Sequence, residues 1–435
     1  MDTLFSNVTV VTMDEELRVL FSAFVGVTDG KISYLSKKAP EEQPKEIING
    51  EGMVLMPGLI NCHTHLPMSP LRGYADDVDL QTWLNDYIFP REDRLDGRSV
   101  KAATLLSIAE CLRFGTTSVS EMYYFCDDIA QAVAESGIKA NISRAITHFG
   151  EDFDFEKDTR CREMVELVDK WHNYDNGRIK IEASIHGEYT SHHEVWDAVS
   201  EYAINEGLGM HVHLSESKRE HEECKDRHGL TPAQVFDCHN VFHAPAIAAH
   251  CVWLEPEDMK ILAKRKTTAV HCPVSNLKLA SGCADVTAMI KAGMNVALGT
   301  GGGVECGNTD LFESMRVLAG SVRTGDGDSG AMPAPALLMM ATVCGARAQG
   351  RGESCGMLEE GMDADITLID FTAPHLMPCH NVVSGLVFSA KGGDVAMTMV
   401  RGRVLYQNGK FPTIDLNQVV QTLMEKAIPV LESKE

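Results

Sequence analysis

The pattern of apolar and polar positions divides the chain into a long middle and two flanks. In the middle, short segments rich in β-branched and small apolar residues recur near 59–64, 116–121, 140–146, 179–186, 209–214, 246–251, 267–272 and 295–299. Most of the intervals carry helical periodicity, as at 99–114, 127–136, 193–206 and 231–238. Strand alternating with helix eight times predicts an α/β chain folded as a (β/α)₈ TIM barrel, with parallel strands inside and helices outside. Ser191 and Glu194 have the spacing of a capping box and predict the start of the helix after the fourth strand, with His192 and His193 as bystanders.

The flanks follow a two-residue period instead. Val8-Thr-Val-Val-Thr, Phe24-Val-Gly-Val and Lys31-Ile-Ser-Tyr-Leu alternate near the start, with turn signals at Asp29-Gly30 and Asn49-Gly50. Asp365-Ile-Thr-Leu-Ile and Val395-Ala-Met-Thr-Met-Val alternate near the end, with a turn signal at Asn408-Gly409. Alternating segments from opposite ends can pair, so a small composite β-sandwich is expected from residues 1–55 and 356–435, flanking a barrel over 56–355. A final helix is expected over 416–431.

Composition narrows this picture without redirecting it. A chain of 435 residues suits one large barrel plus an accessory domain, and 44% apolar with 23% charged residues is an ordinary globular composition. A formal net charge of −23 argues against nucleic acid as a partner, because phosphate binding needs a basic face. No apolar run reaches the length of a membrane span, and the first residues lack a signal-peptide pattern. The 13 cysteines show no paired CxxC spacing, which predicts reduced thiols and a cytoplasmic protein. Cys62, Cys251 and Cys272, each next to a histidine, are read as small hydrophobes facing away from their neighbours.

The chemistry gathers where the predicted strands end, which is where a barrel of this type builds its active site. His63-Thr64-His65 closes the first strand, and alternation puts both imidazoles on one side. His186 ends the fourth strand, His211 and His213 the fifth, His250 the sixth and His271 the seventh. Any one of these histidines is easily structural, but such a set at successive strand ends points to a divalent metal with an open position for water. His211 is read as a neighbour of the ligands, and His271 equally well as a brace or a site residue. Glu216, three residues beyond His213, is placed for general acid/base work. The glycine run at 299–303 lacks the spacing of a phosphate loop or a dinucleotide fingerprint.

With these residues in place, the chain resembles the amidohydrolase superfamily, in the branch holding the methylthioadenosine/S-adenosylhomocysteine deaminases and the triazine hydrolases. The resemblance is carried by Met56-Pro-Gly-Leu-Ile-Asn-Cys-His-Thr-His, Leu71-Arg-Gly-Tyr-Ala-Asp-Asp, Trp83-Leu, Gly115-Thr-Thr-Ser, His213-Leu-Ser-Glu-Ser, Ala249-His-Cys-Val-Trp-Leu and Pro273-Val-Ser-Asn-Leu-Lys-Leu-Ala-Ser-Gly. It implies that His63, His65 and His213 hold one divalent ion, zinc ahead of iron(II). It implies Glu216 as proton shuttle and His250 as hydrogen-bond partner of the attacking water or the substrate. His186 and Arg144 would face a heterocyclic substrate, and Trp83 would wall its pocket. The implied reaction is hydrolytic loss of ammonia from an amino-substituted nitrogen heterocycle, an adenosine-derived nucleoside first, in a homodimer or homotetramer. Hydrolysis of another leaving group on a triazine-like ring is the alternative.

Two positions depart from that family pattern. The eighth strand reads Ala297-Leu-Gly-Thr-Gly301-Gly-Gly, where the family carries an aspartate at the position of Gly301. Glu305 is a candidate replacement, Asp310 a more distant one. The site could also work with its histidines and Glu216 alone, or have lost activity and retained only binding. Restoring aspartate at 301 is expected to strengthen metal retention. The second departure is Gln81, which stands where nucleoside-using members tend to carry an acid for the ribose hydroxyls and forfeits the charge-assisted bond.

Overall fold

The computed structural model describes residues 1–78, 80–150 and 152–432. Nine parallel strands make one curled sheet consistent with a (β/α)₈ barrel. In chain order they are Leu59–His65, Thr116–Tyr123, Lys139–Arg144, Ile179–Ile185, Gly209–Leu214, Ala246–His250, Thr268–His271, and an eighth split into Val296–Leu298 and Gly301–Gly302. The two halves of the split strand face opposite ways around the sheet. Val296–Leu298 pairs with the seventh strand, and Gly301–Gly302 pairs with Thr64 and His65 of the first.

The helices between the strands follow their sequence periodicity. Gly97–Arg113 is capped by the Asp96 side chain, which accepts from the Ser99 amide, and it buries Val100, Ala103, Ser107, Ile108 and Cys111 along one stripe. The helix after the fourth strand, His193–Glu206, does not open as expected. Its N-cap is His192, whose side chain makes no cap bond. Ser191 Oγ instead accepts the Nε1 proton of Trp196 at 2.8 Å. Trp196 is 2% exposed, and a buried indole N–H needs an acceptor more than an exposed helix end needs a cap. The capping-box pattern is realised elsewhere, by Ser217 with Glu220 and Thr231 with Gln234.

The two ends of the chain pair, as their alternation predicts, through one continuous eight-stranded sheet. Met53–Pro57 runs antiparallel to Ile366–Asp370 and parallel to Thr3–Val11. Phe5, Val8, Val10, Val25, Leu55, Ile366, Leu368 and Met397 form a core of their own on this sheet, separate from the main core. The C-terminal helical path runs through Leu416–Thr422, Leu423–Ala427 and Ile428–Glu432. All 13 cysteines are free thiols. Among the described residues no helix is long and apolar enough to cross a membrane.

Candidate active site

Alternation on the first strand brings His63 and His65 to the same side, and the end of the fifth strand, not a sheet neighbour of the first, adds His213. These three offer ligand atoms all within 4.8 Å of one another. Each ring is fixed from behind through Nδ1. His65 donates to the Met122 carbonyl at 2.6 Å, His213 to the His186 carbonyl at 2.8 Å, and His63 Nδ1 lies 3.0 Å from His211 Nε2. A carbonyl can only accept, so the Nδ1 atoms of His65 and His213 carry the proton and their Nε2 lone pairs are free. His63 Nε2 is buried without any partner. A buried imidazole nitrogen left unpaired costs about 1–3 kcal/mol, which a cation at the cluster would remove.

Burial keeps His63 and His213 neutral, as ligation requires. It drives His63 and His213 well below the usual imidazole value, with neighbouring rings adding to the effect. Burial also lowers His186 and His211 to about 3 and His271 to about 4. The donor set of three neutral, buried imidazoles with free nitrogens fits a borderline-soft divalent ion such as zinc.

Glu216 and His250 stand beside the cluster, with Glu216 Oε1 3.8 Å from His250 Nδ1. Burial first, then the charge of Glu305, raises the Glu216 carboxyl to about 8. His250 ends the sixth strand with φ 70°, a left-handed conformation that a non-glycine residue adopts at a cost and that recurs at functional sites. Its Nδ1 donates to Asn276 Oδ1 at 2.8 Å, while Asn276 Nδ2 donates to His271 Nδ1 at 3.3 Å. His271 is therefore tied into the site through Asn276, as a brace.

Several site residues escape a reading centred on histidines. Asn276 lies inside a quoted motif, but its bridging role depends on two strand ends meeting. Glu121 accepts from Thr64 Oγ1 at 2.6 Å and the Leu66 amide at 2.9 Å, and burial raises it to about 8. Glu220 receives the Ser215 and Glu216 amides, each at 2.8 Å, and so holds the turn that carries Glu216. Burial raises Glu92 to about 7, and it accepts the Tyr123 hydroxyl. Nothing local to Pro90-Arg-Glu shows this bond, which forms only when folding brings Tyr123 beside it.

Over the cluster lies a cavity bounded among others by Met68, Trp83, Tyr123, His186, His213, Glu216 and Glu305. Small-molecule sites commonly mix apolar and aromatic walls with a few convergent polar groups in this way. His186 and Trp83 line it, as expected. Arg144 does not: it lies in an adjoining cavity with Arg160 and Thr190, stacks 5.1 Å from the Tyr124 ring centre and donates to Glu163 at 2.7 Å. Gln81 also falls outside the main cavity, in a surface groove with Asp76 and Ser281. Leu80 and Trp83, three apart on one helical turn, take the inward face and turn Gln81 away from it.

At the eighth strand, Gly301 has φ +77°, and Glu305, 7% exposed, reaches back toward it. Asp310 is not part of the site: it caps the following helix by accepting from the Phe312 amide and also accepts from the Gly392 amide, both at 2.9 Å.

Comparison with known proteins agrees with this geometry. The amidohydrolase family pattern matches residues 54–405. A 5-methylthioadenosine/S-adenosylhomocysteine deaminase of Thermoanaerobacter pseudethanolicus is 37% identical over 427 residues, covering 98% of this chain and 99% of that protein. A 5′-deoxyadenosine deaminase of Methanosarcina mazei is 38% identical over 426 residues, covering 98% of each. Among solved structures, an adenosine deaminase from Xanthomonas campestris with bound zinc superposes with a TM-score of 0.94 at 30% identity, over 99% of this chain and 98% of that one. An atrazine chlorohydrolase from Arthrobacter aurescens, complexed with zinc, shares the fold with a TM-score of 0.89 at 23% identity, over 98% of this chain and 100% of that one.

Proposed function

The chain belongs to the amidohydrolase family, and from that premise we propose that it is a metal-dependent deaminase of an amino-substituted purine-type ring, with an adenosine-derived nucleoside as substrate. The observation that carries this reading is the convergence of His63, His65 and His213, one with an orphaned buried nitrogen, beside a carboxyl raised to about 8 at Glu216. A divalent ion held by the three imidazoles, zinc by their chemistry, would supply the Lewis acidity for activating water.

The remaining work falls to the protein's own groups. The Glu216 carboxyl, raised toward neutral pH by burial, is suited both to accept a proton from the attacking water and to deliver one to the departing nitrogen. The exchange balances: one water enters, the C–N bond breaks, a carbonyl replaces the amine, and ammonia leaves with the protons. His250, with Nδ1–H held by Asn276, turns Nε2 toward the cavity as an acceptor that orients the water or the ring. Trp83 and His186 wall the ring. Arg144, in the adjoining cavity, would meet only a substituent extending from the ring past Tyr124. Gln81, turned outward, supplies no ribose contact in this arrangement. The terminal sheet over residues 1–55 and 356–435 is read as the small composite β-sandwich domain beside a 56–355 barrel.

The test is ammonia release by zinc-loaded protein from adenosine, 5′-deoxyadenosine, methylthioadenosine and S-adenosylhomocysteine, against guanine and a pterin. Turnover of one of the adenosine compounds is expected, together with stoichiometric zinc. Protein that takes up no zinc, or that prefers guanine or the pterin, would overturn the proposal.

A further inference from the structure

Gly301 and Glu305 divide between them a position that one residue would ordinarily fill. A Cβ built on Gly301 would lie 2.2 Å from Glu305 Oε2, far inside any van der Waals contact. The Glu305 carboxylate thus occupies the space where a side chain on the eighth strand would begin. Oε2 is fixed there by the Gly302 amide at 2.9 Å, while Oε1 lies 4.0 Å from His65 Nε2 on the cavity wall. The carboxylate is nearly buried, lies beside His65 and ion-pairs with no lysine or arginine among the described residues.

We propose that Glu305 is the anionic group of the metal site, delivered from the loop beyond the split eighth strand, and that position 301 is glycine because Glu305 takes its side-chain space. The proposal rests on the metal-site reading above and deepens it. The local backbone is built for the exchange. Gly301 takes φ +77°, which a residue without Cβ adopts freely. Gly302 and Gly303 then lead into the single turn Gly303–Cys306, which returns Glu305 to the strand it follows. On this proposal the expected effect of aspartate at 301 is the opposite of that drawn from the sequence. Aspartate at 301 would not add a ligand to the site, because it would collide with the carboxylate already there.

The test is zinc affinity of the full chain, measured by competition with a chelator of known affinity, a readout independent of turnover. Glu305→Gln keeps an oxygen for the Gly302 amide and removes the charge; it should bind zinc at least about tenfold more weakly. Gly301→Asp alone should also weaken binding and lower the melting temperature of the metal-free protein. Gly301→Asp combined with Glu305→Ala should bind zinc more tightly than Glu305→Ala alone, because the space is then free and aspartate tolerates a positive φ. If Glu305→Gln binds zinc like the parent while His63→Ala does not, Glu305 is only a cap for Gly302 and this proposal falls with the metal site intact. If His63→Ala also binds like the parent, the metal-site reading falls with it. Should Glu305→Gln fail to fold, the double variant decides: affinity no better than that of Glu305→Ala overturns the proposal.

Discussion

The two ends of the barrel hold different kinds of buried polar group. At the floor, Lys139 is 1% exposed and donates to Asp363 at 2.7 Å and Asp365 at 2.5 Å. Arg351 spreads its terminal nitrogens over the Gly177, Ala140 and Arg178 carbonyls and Asn141 Oδ1. Gln349 closes the interior against Ser118 and Ser120. At the mouth, His63 Nε2 and Glu121 Oε1 are buried with no partner. The floor uses charge to fasten the barrel to the segment that enters the terminal sheet. Arg351 Nε at the floor is unpartnered too, so what sets the mouth apart is that its orphaned His63 nitrogen lies in the three-histidine cluster, where a bound ion would supply the partner. Stability and function are therefore expected to separate along the barrel axis, as the division of labour between barrel faces suggests.

Substitutions at each end can break that comparison. The largest effect is expected at the mouth. Glu216→Gln should lower kcat by about 10²–10⁴-fold, the usual contribution of a general acid/base, while leaving zinc content unchanged. The metal-free melting temperature should hold or rise, since a buried carboxyl is exchanged for a neutral amide. A clear fall in stability would mean that the mouth is structural after all.

At the floor the sign reverses. Lys139→Met strands Asp363 and Asp365 without their buried cation and should cost about 3–5 kcal/mol in chemical denaturation, with kcat of the folded fraction unaffected. The penalty should depend on pH. Burial alone would raise Asp363, but the charges and hydrogen bonds of Lys139 and Lys31 together outweigh it and hold the carboxyl below its usual value. That stabilisation is fully present above the ordinary aspartate value near 3.8 and is lost as pH falls through the lower folded value. The gap between parent and variant should therefore narrow on acidification, and a gap independent of pH would sever Lys139 from Asp363.

How much of this was legible in the sequence follows the same axis. The eight strands and the terminal pairing could be read because apolar periodicity is a local signal. The histidines could be read because they end strands, and strand ends converge in a barrel. Three kinds of feature could not. Ser191 has the spacing of a helix cap, but the Trp196 indole, brought near by folding, claims its oxygen. Gln81 and Arg144 sit at family positions, yet their outward turn depends on which face Leu80 and Trp83 bury and on the Glu163 ion pair. The exchange between Gly301 and Glu305 was visible as a missing carboxylate and a nearby spare one. Only the 2.2 Å approach shows that the two compete for one space.

The smallest expected effect tests whether the mouth is organised beyond its charged groups. Asn276 does not itself line the cavity, but its amide fixes two imidazoles at once: Oδ1 takes the His250 Nδ1 proton and Nδ2 donates to His271. Asn276→Ala frees His250 to rotate or to change tautomer, so Nε2 no longer faces the cavity as a fixed acceptor. Loss of one such bond, worth about 1–1.5 kcal/mol, corresponds to about tenfold in kcat. KM and zinc affinity should change little, because the ring walls and the three ligands are untouched. Asn276→Asp makes the role specific: its carboxylate still accepts from His250 but cannot donate to His271, so it should recover most of kcat if His250 is the ring that matters. Equal losses in both variants would place the function on His271 instead, and the seventh strand would then join the site as more than a brace.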